Sequence, residues 1–251
     1  MKFSVIIPAR YASTRFPGKP LADVGGKPMV VRVAERAARS GASEVLIATD
    51  DARIADAAER HGCQAVMTQA RHETGTDRVA EVATRKRYPP KHIVVNVQGD
   101  EPLIEPSLIR AVAADLARYT EASVATAVHP IRDAGDLDNP NVVKAVLDRE
   151  GYALYFSRAP IPYARDAFMR GISRIPSGLP VYRHVGIYAY RAAFLRRYSW
   201  LMPDAIERFE ALEQLRALAH GHRIHCTITR AAPAPGVDTP ADLKRLLRRV
   251  K

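Results

Sequence analysis

The sequence predicts an α/β protein, a Rossmann-like sheet flanked by helices with a smaller subdomain in the second half. Three observations across its 251 residues carry this. Strand-like and helix-like segments alternate through about residue 128, as right-handed crossovers require. Early strands include continuous apolar runs such as Val45-Leu46-Ile47, which mark strands covered on both faces and hence a parallel sheet. Beyond that point paired strands and a proline-rich stretch replace the alternation. The expected organisation is one domain over 1–251, with an α/β half at 1–128, a second part at 129–230 and a C-terminal segment at 231–251 packing back on the first half.

The first strand, Phe3 to Ile7, stops at Pro8 and runs into a basic loop with Arg10, Arg15 and Lys19 among Ser13, Thr14 and Gly18. Pro8, Pro17 and Pro20 hold this loop out of helix or ladder. It lies where open α/β sheets bind ligands, outside the carboxyl ends of the strands. Small residues admit phosphate oxygens to the backbone and three cations oppose their charge. Neither G-x-x-x-x-G-K-[ST] nor G-x-G-x-x-G is present, and the loop on its own also reads as solvated surface.

Pro28 and the periodic Met29, Val30, Val33, Ala34 and Ala37 start a helix that Gly41 stops. Glu44 to Thr49 is the second strand, Asp50 and Asp51 cap the next helix, and Gln64 to Met67 is a short third strand. The polar stretch Thr68–Arg78 enters a helix through Glu81 and Val82, capped by Thr74 or Thr76. That helix start suits an anion or plain capping equally.

His92 to Val97 is strongly strand-like and ends in Gln98-Gly99-Asp100-Glu101-Pro102. Gly-Asp is often only a turn. Here it sets Asp100 and Glu101 at the sheet edge of the cationic loop, and a carboxylate beside a phosphate grip makes sense with a divalent cation between them. Pro106 opens a helix with Leu108, Ile109, Val112 and Leu116 on one face.

In the second half, Asn139–Leu147 and Tyr152–Phe156 read as strands joined by a turn. Ser157–Pro180, rich in arginine and proline, reads as a connector, lid or dimer arm. Arg183–Tyr190 alternates as a strand. His184 and Tyr188, four apart, share a face of it, although a lone histidine in a sheet is more often structural. Helices follow at Ala192–Tyr198 and Glu210–Ala219, then a strand at Ile224–Thr229. Gly236-Val237-Asp238-Thr239-Pro240 leads into a last helix, with Asp238 as a turn residue ahead of a capping Thr239.

Composition narrows the function classes. No apolar stretch reaches membrane-helix length, and the start is a strand-length run, not a signal peptide. Cys63 and Cys226 form no metal-ligand spacing or disulfide framework, which fits a reducing cytoplasm. The net charge of +11 suits an anionic ligand, nucleic acid or nothing specific. The arginines are scattered without a nucleic-acid-binding signature.

Five segments together carry a family resemblance: Ile6–Pro20, Val94–Pro102, Gly151–Arg158, His184–Tyr188 and Gly236–Pro240. In order and spacing they resemble the 3-deoxy-manno-octulosonate cytidylyltransferases, the CMP-Kdo synthetases, over essentially the whole chain. Phe16 stands where that family commonly has Leu, Thr74 where it has Ser, and Tyr163 where it has Trp. The resemblance implies a nucleotidyltransferase sheet with a sugar-binding and dimerisation subdomain. It also implies the reaction CTP + Kdo → CMP-Kdo + diphosphate for lipopolysaccharide synthesis, in a Mg²⁺-dependent cytoplasmic homodimer. It implies that Ala9, Arg10, Ser13, Arg15, Lys19, Thr74, Gly75, Arg78 and Gln98 meet the nucleotide. Arg10, Lys19 and Asp100 take catalytic roles, and Asp100 and Asp238 hold the metal. His184, Tyr188, Glu213 and Gln214 face the sugar hydroxyls, and Arg158 the sugar carboxylate. No nucleic acid or membrane partner is expected.

Overall fold

The computed structural model describes the chain except residues 13–15, 231, 233 and 251. In chain order, β1 (Phe3–Ala9) leads through a short 3₁₀ turn (Lys19–Leu21) to α1 (Met29–Ala38). The alternation continues as β2 (Glu44–Thr49), α2 (Ala52–Arg60), β3 (Gln64–Met67), α3 (Gly75–Arg85), β4 (Ile93–Asn96), α4 (Pro106–Arg118) and β5 (Val124–Pro130). The second half holds α5 (Ala134–Asp138), β6 (Lys144–Leu147), β7 (Ala153–Ser157), α6 (Arg165–Phe168) and β8 (Tyr182–Arg191). The chain then forms α7 (Ala192–Tyr198), α8 (Ala205–Glu210), α9 (Gln214–Ala219), β9 (Ile224–Ile228) and α10 (Pro240–Val250).

The strands form one mixed sheet in the order β3-β2-β1-β4-β8-β5-β9, with β6 paired to β8 and β7 to β6. β3, β2, β1 and β4 run parallel. β8 is antiparallel to both β4 and β5. Successive side chains of a strand point to opposite faces. Val5 and Ile7 therefore pack with α1 and α4, while Ile6 packs with α3 and α7. Val5, Ile6 and Ile7 are fully buried. Each contributes about 1.5–3 kcal/mol, enough to explain why the run folds as a central strand.

Caps follow the sequence. Asp51 accepts from the Arg53 N–H, and Thr74 rather than Thr76 caps α3 by accepting from the Asp77 N–H. Thr239 accepts from the Asp242 N–H at 3.2 Å, and the Asp242 carboxylate accepts in return from the Thr239 N–H at 2.8 Å, a reciprocal box opening α10.

Four features differ from the sequence reading. Pro28 caps α1 instead of occupying its first position. The strand expected from Asn139 begins at Lys144, because the Asn139 carboxamide accepts from the Asn141 N–H and turns the chain there. The helix expected over Glu210–Ala219 is two helices broken at Ala211, whose φ is 51°. The 157–180 connector contains α6, and Phe168 is buried with Ile131, Leu137, Val142 and Val181. Among the described residues no helix is long and apolar enough to cross a membrane.

Candidate active site

The parallel strands deliver their loops to one edge, and there a cleft of about 450 Å³ opens. Pro8, Ala9, Arg10 and Ala12 line it from the end of β1, and Gln98, Gly99 and Asp100 from the end of β4. Thr74, Gly75 and Arg78 come from the start of α3, Lys19 from the 3₁₀ turn, Glu213 from before α9, and Asp238 from before α10.

Glycine sets two of these approaches. A Cβ on Gly99 would lie 3.0 Å from the Pro8 carbonyl, so a larger residue would push the two strand ends apart by a few tenths of an ångström. Gly18 has φ 71° and its N–H donates to the Tyr11 carbonyl at 3.0 Å, which turns the loop back and presents Lys19.

The Lys19 ammonium donates to Asp100 Oδ2 at 2.6 Å and to Asp238 Oδ1 at 3.4 Å. These residues come from both ends and the middle of the chain. Asp238 arrives because Val237 is buried with Val24, Met29 and Leu246, and because the Val237 N–H donates to the Asp100 carbonyl at 2.9 Å. Of the paired acids only Asp100 lines the cleft. Glu101 lines a separate, largely apolar pocket with Ile104, Leu108 and Ile228. Burial there, reinforced by the Asp100 charge, pushes its carboxyl up to about 8.

Arg78 lines the cleft wall with its guanidinium held by neighbours. It donates to Asp50 Oδ2 at 2.8 Å and to the Thr68 hydroxyl, and its side chain is only 3% exposed. Ser13 and Arg15 lie outside the described residues.

The sugar-side set lies next to the cleft and only partly in it. Glu213 lines both the cleft and a small void behind it, which Thr76, Tyr188, Tyr190, Tyr198 and Gln214 also line. Thr76 donates to Glu213 Oε2 at 2.8 Å, and Tyr188 donates to Gln214 Oε1 at 3.1 Å. Burial raises the pKa of Glu213 against the pull of the Thr76 hydrogen bond, and raises that of Tyr188. The Gln214 amide nitrogen and the Tyr198 hydroxyl are buried without a hydrogen-bond partner. Buried polar groups are rarely left so, and the void beside them has room for no more than a water molecule.

His184 and Tyr188 do share a face, their ring centroids 5.3 Å apart. Burial pushes the His184 pKa down to about 3, so the ring is neutral near pH 7. The Thr126 hydroxyl lies 2.8 Å from His184 Nε2 and donates to the Ile187 carbonyl at 2.7 Å. With the hydroxyl proton on that carbonyl, the Thr126 oxygen is left to accept from an Nε2–H tautomer of the ring. Arg158 is not brought to the cleft. Its guanidinium donates to the carbonyls of Glu210 and Pro140, at 2.7 and 2.9 Å.

A family model described as Cytidylyltransferase matches residues 4–224. The chain belongs to the cytidylyltransferase family. A solved structure of a CMP:2-keto-3-deoxy-manno-octonic acid synthetase complexed with CTP is similar over 99% of this chain and 98% of that one, at 42% identity and TM-score 0.90. A cytidylyltransferase from Leptospira borgpetersenii matches over 98% and 84% of the two chains, at 16% identity and TM-score 0.62. A 4-diphosphocytidyl-2C-methyl-D-erythritol synthase from Anaerococcus prevotii matches over 99% and 98%, at 13% identity and TM-score 0.62. The last two likenesses show the shared fold.

Cytidylyltransferases generally use a divalent metal ion, and the cleft of this cytidylyltransferase has a fitting donor set. Two carboxylates converge on one cation, the Lys19 ammonium, which stands where positive charge is wanted. Among the described residues no cluster of three or more His, Cys, Asp or Glu could hold a metal. One or two carboxylates completed by phosphates and water is how Mg²⁺ is commonly held. Sequence reasoning left out Tyr190 and Tyr198, and weighed Thr76 as a possible cap in a helix start that suits an anion, never as a partner of Glu213. Their signal was weak, because their role depends on Glu213 and Gln214 from a distant segment.

Proposed function

We propose that this cytidylyltransferase activates 3-deoxy-manno-octulosonate, catalysing CTP + Kdo → CMP-Kdo + diphosphate for lipopolysaccharide synthesis. The observation that carries the reading is the convergence of Lys19, Asp100 and Asp238 in a cleft also lined by Arg10, Thr74, Gly75 and Gln98. The likeness to a CTP-bound CMP-Kdo synthetase over 99% of the chain supports the choice of sugar.

In this reading Ala9, Thr74, Gly75, Arg78 and Gln98 form the nucleotide wall, and Arg10, Ser13, Arg15 and Lys19 grip the triphosphate. Asp100 and Asp238 would hold Mg²⁺, which supplies neutralisation of phosphate charge. The anomeric hydroxyl of Kdo attacks the α-phosphorus in line and gives its proton to solvent, while the bond from the α-phosphorus to the bridging oxygen breaks and diphosphate departs. Such transfers need positioning and charge stabilisation more than covalent help from the protein. Arg10 and Lys19 oppose the charge that gathers on the departing diphosphate.

On the sugar side, the neutral His184 ring, Tyr188, Gln214 and the Glu213 carboxylate would meet hydroxyls, and Arg158 is the cation assigned to the sugar carboxylate. Arg158 is held outside the cleft by the Glu210 and Pro140 carbonyls and would reach that carboxylate only by leaving them. We also infer a homodimer formed through the second half and a cytoplasmic setting. The free thiols of Cys63 and Cys226 support the latter.

The test is diphosphate release with CTP and Mg²⁺, comparing Kdo, sialic acid and no acceptor. Release that depends on Kdo and is at least tenfold slower with sialic acid is expected. Equal release with both acids would overturn the sugar assignment.

A further inference from the structure

We propose that Thr76 is a positioning residue for sugar selection, acting through Glu213 and not through the nucleotide. The inference rests on the proposed transfer to Kdo and adds a residue to it.

Thr76 is the second residue of α3 and is 3% exposed. The residues just before it, Thr74 and Gly75, line the cleft, whereas Thr76 lines the void behind. Its hydroxyl donates to Glu213 Oε2 at 2.8 Å, 137 positions away, with the Tyr190 hydroxyl at 3.4 Å. Thr74 already caps α3, so the helix does not need this hydroxyl at its first turn.

A buried carboxylate without a donor costs several kcal/mol and drifts toward its neutral form. Burial raises the Glu213 pKa, and the Thr76 hydrogen bond is the foremost influence opposing it. The bond therefore does two things. It works against the rise that burial imposes, favouring the form that accepts from sugar hydroxyls, and it fixes the carboxylate in the wall shared by the cleft and the void. One turn of α3 thus presents its start to the nucleotide and its next side chain to the sugar side.

The experiment is steady-state kinetics on Thr76→Val, Thr76→Ser and Glu213→Gln, varying CTP and Kdo separately, with thermal melts beside them. Thr76→Val should lower kcat/KM for Kdo about tenfold or more, the scale of one hydrogen bond to a charged group. The KM for CTP should stay within about threefold, as expected when only one substrate is affected. Thr76→Ser should restore Kdo use. The double variant Thr76→Val/Glu213→Gln should be no worse than Glu213→Gln alone, the non-additivity of residues acting as one unit. Unchanged Kdo kinetics in Thr76→Val, or additive losses in the double variant, would overturn the proposal. A loss confined to CTP would do so too. If Thr76→Val does not fold, Thr76→Ser with Glu213→Gln still decides. Loss of Kdo use in the serine variant, which keeps the hydroxyl, contradicts the proposal. No Kdo turnover by the unaltered protein would instead refute the functional reading itself.

Discussion

Lys19 between two carboxylates is the residue-scale feature on which the site turns. Asp100 and Asp238 are 30% and 50% exposed at the side chain, and they meet around an ammonium that is 14% exposed. Like charges this close repel unless a cation sits between them. Asp100→Asn keeps the size of the side chain and removes the charge. The protein should fold with a melting temperature close to that of the parent. Diphosphate release should fall by a factor on the order of 10² or more, as when a main electrostatic catalyst is lost. Near-normal release at saturating Mg²⁺ would contradict the role given to Asp100. Asp100 was legible because Gly-Asp follows a strongly strand-like run. Its separation from Glu101 was not, since adjacent side chains diverge and one entered an apolar pocket. Arg78 was legible as a cleft residue, but not its tie to Asp50, which depends on how α3 lies against the end of β2.

At the scale of elements, the sequence marked those that carry their own punctuation. β1, β2 and the helices opened by Asp51, Thr74 and Thr239 fall where apolar runs and caps put them. β5 is the contrast. Val124-Ala-Thr-Ala-Val128 alternates β-branched residues with alanine, carries no turn or cap signal of its own, and was not singled out. Pairing with β8 and β9 on either side makes it a strand. The α8–α9 break shows the same override. Ala211 takes a left-handed conformation, which costs roughly 1 kcal/mol or more for a residue with a Cβ. Glu207 and Arg216 close across it, with two hydrogen bonds of 2.8 and 2.6 Å between side chains under 10% exposed. Glu207→Ala would leave the Arg216 charge buried and unpaired. It should destabilise the protein by about 3–5 kcal/mol in denaturant melts. It should also raise the KM for Kdo, since Glu213 and Gln214 sit inside this clamp. A change below about 1 kcal/mol would show that the pair is not what holds the break.

At the scale of the whole molecule, the site is assembled from parts that are far apart in sequence. The first loop, the ends of β1 and β4, the start of α3 and the segment before α10 meet at one sheet edge. The sequence could predict that edge from the parallel strands alone. It could not, from local pattern, bring Asp238 to Asp100. That depends on Val237 packing against Val24 and Met29 beneath the first loop. The net charge of +11 left nucleic acid open as a partner. A cleft in which one lysine is matched to two carboxylates favours a small, multiply charged anion carried with a cation.

The central claim is that this cleft joins CTP to Kdo, and the most direct measurement is a ³¹P NMR time course of the protein with CTP, Kdo and Mg²⁺. The three CTP resonances should give way to one phosphodiester signal and free diphosphate in equal amounts, only when Kdo is present and far more slowly with Asp100→Asn. Unchanged CTP signals, or diphosphate appearing without the phosphodiester, would contradict it.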